Sequence, residues 1–63
     1  MEMTREQAIE KVNKELARYK VYFPYRIAWG AINPETNAVE CGCSKTRRTV
    51  NDYIRKGWEC YVL

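Results

Sequence analysis

Ser44-Lys45-Thr46-Arg47-Arg48 gathers three cations and two hydroxyls in five consecutive residues. Arginine forks match the geometry of phosphate and carboxylate two hydrogen bonds at a time. If a helix starts here, its first backbone N–H groups lack intrahelical partners and point outward beside those cations. Positive charge at that end opposes the helix macrodipole, so the cations do nothing for the helix itself. They suit an anion, most simply a phosphate. Arg55 lies on a neighbouring helical face and extends the candidate set, with Lys56 beside it. The competing reading is an ordinary solvated helix face.

Cys41-Gly42-Cys43 and Cys60 are the next candidates. Structural zinc takes four ligands, commonly at C-x₂₋₄-C spacing with histidine, and this chain has no histidine. Cys41 and Cys43 share one side of an extended strand, where reduced cysteine behaves as a small hydrophobe. An odd number of cysteines fits a disulfide framework poorly, so free thiols in a reducing cytoplasm are expected. No charged segment followed by an apolar run opens the chain, and no apolar stretch is long enough to cross a bilayer.

Catalysis finds little to work with. Without histidine there is no Ser–His or Cys–His pair to activate a nucleophile. Gly30, Gly42 and Gly57 stand alone, so no glycine-rich phosphate loop exists. Carboxylates such as Glu6 and Glu10 sit where a solvated helix face wants them. The expectation is a protein that is not an enzyme and needs no cofactor or metal.

These residues must be positioned by few elements. Thr4-Arg5-Glu6-Gln7 matches a capping box, and Ile9, Val12, Leu16 and Tyr19 follow at helical spacing, predicting a helix over 4–20. Phe23, Tyr25, Ile27, Trp29 and Ala31 then alternate with their neighbours, and Pro24 delays the paired strand to about Tyr25. Asn33-Pro34-Glu35-Thr36-Asn37 is a hairpin turn, returning through a strand over 38–43. Ser44 or Thr46 caps a second helix whose apolar stripe is Val50, Tyr53 and Ile54, ending at Gly57. Trp58 to Leu63 makes a last strand.

The fold class is therefore α+β, in the order α-β-β-α-β, as one domain over 1–63. The crossover through the second helix places the last strand parallel to the second, with a right-handed connection. With the longest and most apolar strand central, the sheet order is 2-1-3. Both helices are expected on the face bearing Ile27, Trp29, Val39, Cys41, Trp58 and Val62. That leaves an open face with Ala28, Gly30, Gly42, Tyr61 and Leu63 as a contact surface.

A domain of 63 residues is small enough that its stability is marginal, although 46% hydrophobic residues argue for a real core. A homodimer would ease the shortage of core. The net charge of +3 is mild, and its location is more telling. Residues 45–63 carry five cations against two anions, while residues 1–44 come out neutral. That asymmetry is compatible with an acidic protein or a nucleic acid. Tyr22, Tyr25 and Tyr61 are conceivable base-stacking rings, with Tyr25 and Trp29 expected to fill the core.

From Ile27 to Leu63 the layout is strand, Asn-Pro-Glu-Thr-Asn turn, strand, Ser-Lys-Thr-Arg-Arg helix start, Lys-Gly-Trp and final strand. This resembles the layout of many short phage or prophage accessory proteins, which implies host-directed or regulatory roles. Lys45, Arg47 and Arg48 at a helix start are also similar to double-stranded RNA-binding domains, which present a basic helix N-terminus to phosphates. That family has three strands before its second helix, where this chain is read with two.

The function expected from the sequence is a non-enzymatic interaction protein of the cytoplasm, or of a host cytoplasm if phage-encoded. It binds and regulates or inhibits a macromolecular partner through the basic second helix and the adjoining sheet edge. A protein partner ranks ahead of nucleic acid, and no membrane is involved. The expected contact residues are Ser44, Lys45, Thr46, Arg47, Arg48 and Arg55, with Tyr61 and Leu63 as apolar anchors. Phosphate-backbone nucleic-acid binding and self-assembly as a structural or virion component are the alternatives.

Overall fold

A computed structural model describes residues 3–63; Met1 and Glu2 lie outside the described residues. Thr4 opens the first helix, α1 (Arg5–Tyr22), through a complete capping box. Its Oγ1 accepts from the Gln7 backbone N–H at 3.2 Å, and Gln7 Oε1 accepts from the Thr4 N–H at 3.0 Å. The helix runs two residues past the predicted end, to Tyr22, until Pro24 disfavours helical backbone in the residue before it. Ala8, Val12 and Leu16 are its buried stripe.

Three strands follow: β1 (Ile27–Ile32), β2 (Val39–Ser44) and, after the helix α2 (Arg48–Arg55), β3 (Glu59–Val62). The sheet order is β2-β1-β3, with β1 antiparallel to both neighbours, as the sequence predicts. The β1–β2 turn is built from side chains that bond their own backbone. Asn33 Oδ1 accepts from the Glu35 N–H at 2.9 Å, and Thr36 Oγ1 accepts from the Ala38 N–H at 3.2 Å. Asn37 takes the left-handed conformation (φ 61°) that asparagine tolerates, and its Nδ2 donates to the Met3 carbonyl at 3.1 Å.

The helices lie on opposite faces of the sheet, which corrects the expectation that both cover one face. Val12 and Leu16 of α1 pack on Ala28 and Ile32, with Val39, Cys41 and Tyr61 around them. Val50 of α2 packs on Trp29 and Ala31, with Tyr53, Trp58 and Cys60. β1 is apolar and buried on both faces and takes a helix on each, and β2's register differs from the expectation as well. Cys41 pairs with Gly30 and Gly42 with Trp29, so Val39, Cys41 and Cys43 share a face with Ala28, Gly30 and Ile32 rather than with Trp29. A one-residue slip of this kind exchanges a strand's whole set of side chains between faces.

The expected open patch is accordingly covered. Gly30 is small because α1 sits on it: a Cβ there would lie 2.6 Å from Val12 Cγ1. Gly42 lies under the Trp29 indole, where a Cβ would come within 2.9 Å of Cζ2. Ile32, Val12 and Val50 are fully buried, each contributing about 1.5–3 kcal/mol.

Paired β1 begins at Ile27 rather than Tyr25, because Arg26 N–H bonds back to the Phe23 carbonyl at 3.1 Å and closes a turn. Tyr25 therefore stands outside the core, fully exposed. Among the described residues no helix is long and apolar enough to cross a membrane.

Candidate binding surface

The segment between β2 and α2 is built by short local bonds. Ser44 ends β2, half-buried, and its hydroxyl donates to the Thr46 carbonyl at 2.6 Å. Thr46 Oγ1 accepts from the Arg48 N–H at 3.4 Å. The helix N-cap is Arg47, with no side-chain cap bond, so α2 starts one residue later than a Thr46 cap implies. Arginine is a poor choice for a position that favours Ser, Thr, Asp or Asn.

Lys45, Thr46, Arg47 and Arg48 are all exposed. Among the described residues the ion pairs are Arg5–Glu59 and Arg55–Asp52, so Lys45, Arg47 and Arg48 enter none. Arg55 differs from them in being held by Asp52 one helical turn away. Its charge is partly neutralised in place, and it stands at the far end of α2 from Arg47.

Tyr61 pairs with Gly30 and lies half-buried against the α1 cluster, on a covered face rather than the expected open one. Leu63 is 56% exposed, and its N–H bonds the Ala28 carbonyl at 2.9 Å. Of the expected contact residues, the structure thus groups Ser44 to Arg48 with Leu63 at one end of the sheet. Arg55 and Tyr61 stand apart.

The three thiols do not converge. Cys41 packs with the α1 cluster and Cys60 with the α2 cluster, on opposite faces. Burial, reinforced by Glu15, pushes the Cys41 thiol above its ordinary range, and burial alone does the same for Cys60. Elsewhere, the Arg5 guanidinium pairs with the Glu59 carboxylate at 2.5 Å, which raises its pKa and ties α1 to β3.

The sequence reading sent Tyr25 to the core and Tyr22 outward; the structure leaves both outside. Val21, Tyr22, Phe23 and Tyr25 form a contiguous exposed apolar run at the end of α1. The Arg26 guanidinium lies over the Phe23 ring, 5.7 Å from its centroid. The available signal was Pro24, which breaks the alternation and leaves the residues around it outside both helix and strand.

Comparison with protein-family models, curated proteins and solved structures returns no match for this chain. The arrangement of two strands before α2 departs from the double-stranded RNA-binding layout, so the basic helix start is the extent of that similarity.

Proposed function

We propose that this chain is a non-enzymatic binding protein that regulates or inhibits an acidic macromolecular partner by occupying it through its basic end. Lys45, Thr46, Arg47 and Arg48 supply the contact, with the adjoining edge strand β2, and with Leu63 at the same end of the sheet across β1. The observation that carries this reading is the unspent charge of Lys45, Arg47 and Arg48. These residues are exposed, outside every ion pair among the described residues, and set in a stretch from Cys41 to Asn51 without a carboxylate. Cations left at the start of a helix work against it, which argues for a use elsewhere. The three unpaired cysteines support a reducing, cytoplasmic setting for that encounter.

The test is titration at low salt against labelled polyglutamate and a labelled oligonucleotide. At least one should bind the native chain, and the Arg47→Glu, Arg48→Glu double variant should lose it while keeping its circular dichroism spectrum. Absence of binding to both polymers, or equal binding by the variant, removes the proposal.

A further inference from the structure

The connection from α1 to β1 carries aromatic surface that neither half of the core uses. Tyr25 is 100% exposed and Tyr22 68%, with Phe23 partly exposed between them. The segment is nonetheless ordered by its own contacts. Phe23 N–H bonds the Tyr19 carbonyl at 2.7 Å, Arg26 N–H bonds the Phe23 carbonyl, and Lys20 Nζ donates to the Arg26 carbonyl at 3.2 Å.

The strand pairing places this ledge beside the basic end. Ile27 is opposite Ser44, so the α1–β1 and β2–α2 connections leave the sheet at the same end, from adjacent strands. Residues 16–34 and 41–51 contain no carboxylate and supply six cations: Arg18, Lys20, Arg26, Lys45, Arg47 and Arg48. Flat rings standing clear of the core among uncompensated cations are what a single-stranded nucleic acid needs. Its phosphates take the charges and its unpaired bases take the ring faces. A duplex offers the phosphates but keeps its bases stacked on each other. An acidic protein offers carboxylates for the cations but no series of flat faces on which the rings can stack.

We infer that the α1–β1 and β2–α2 connections form one binding site for single-stranded nucleic acid, with Tyr22 and Tyr25 stacking on bases and Arg26, Lys45, Arg47 and Arg48 holding phosphates. The inference rests on the basic-end reading above and names its partner class.

Fluorescence anisotropy at low salt tests it with three probes: an oligothymidylate of about twelve nucleotides, an abasic deoxyribose-phosphate strand of the same length, and polyglutamate. The native chain should bind the oligothymidylate at least about fivefold more tightly than the abasic strand. A Tyr22→Ala, Tyr25→Ala variant should bind both strands equally, at the native chain's abasic affinity. Both rings lie on the surface, so an unchanged circular dichroism spectrum is expected. Equal binding of the two strands by the native chain overturns the inference and leaves the basic end as a phosphate site. Binding of polyglutamate alone also overturns it, in favour of an acidic protein partner. Failure of all three probes to bind removes the basic-end reading as well.

Discussion

At Gly30 the β1 backbone comes so close to α1 that no side chain fits between them, since an added Cβ would lie 2.6 Å from Val12 Cγ1. Valine is stiff at χ1 and Val12 is fully buried, so it cannot swing clear. Gly30→Ala should therefore cost about 1–3 kcal/mol, despite alanine's lower backbone entropy cost. Urea unfolding of Gly30→Ala, Val12→Ala and the double variant checks it. The double variant should be more stable than the sum of the two losses implies, because the smaller residue 12 relieves the clash. Cys41 makes a different prediction. Burial raises its folded-state pKa, so the folded chain holds a proton that the unfolded chain releases. Stability is then complete below the ordinary thiol value of 9.0 and declines as pH rises through the folded-state value. From 9.0 up to the folded-state value the stability of the native chain should fall more steeply than that of Cys41→Ala, a difference readable from paired denaturant curves.

Both helices are decided at their ends, but only one end conflicts with local chemistry. The close of α2 is a full Schellman motif: Gly57 N–H bonds the Ile54 carbonyl at 3.0 Å and Trp58 N–H bonds the Tyr53 carbonyl at 3.1 Å. Gly57 takes φ +87°, and the Tyr53 and Trp58 rings meet at 5.0 Å between centroids. Its start has a cation at the N-cap and no side-chain cap bond. Arg47→Asp should stabilise the chain by about 1 kcal/mol, through a cap and a reversed interaction with the macrodipole, while weakening polyanion binding. Thermal melting and an anisotropy titration on the same variant check the opposed signs; a loss of both would mean that Arg47 is structural. The start of α1, the β1–β2 turn and the close of α2 were legible because capping boxes, Asx turns and terminal glycines are local chemistry. The start of α2, capped by Arg47 rather than Ser44 or Thr46, was not. The order β2-β1-β3 was legible too, since it follows from one apolar strand between two weaker ones. The face assignment was not. Ile27-Ala28-Trp29-Gly30-Ala31-Ile32 is apolar at every position, the pattern of a strand covered on both sides. With no polar alternation to mark an outside, the register of β2 against it is free to be misread by one residue. Reading both helices onto the Trp29 face put Tyr61 on an open face and hid the need for Gly30. The basic half of the candidate site was readable as a run of charges. Of the aromatic half, Tyr22 was readable as an outward ring and Tyr25 was not, because Tyr25 alternates correctly for a strand that starts two residues later.

Across the whole molecule, the helices on opposite faces divide a small core in two, and the charge is divided as well. A net charge of +3 spread evenly over 63 residues would bind polyanions weakly and without preference for any surface. Instead, carboxylates accompany the cations along the first three turns of α1 and beside Arg55, and are missing around the α1–β1 and β2–α2 connections. The two kinds of cation should separate experimentally. Phosphate contacts release counterions from a single strand, so log affinity falls with log salt by roughly 0.7 per contact. Exchanging Arg47 and Arg48 for glutamine should lower that slope by roughly 1.4, since neither has an internal partner to lose. Arg55→Gln removes one such charge, already held by Asp52, and should leave the slope nearly unchanged rather than lower it by roughly 0.7. Net charge alone predicts that losing any arginine lowers the slope equally. Anisotropy titrations of oligothymidylate over a range of salt concentrations decide between the two. Equal effects at Arg47, Arg48 and Arg55 would mean that the strand senses only the protein's total charge and that no localised site exists at the basic end.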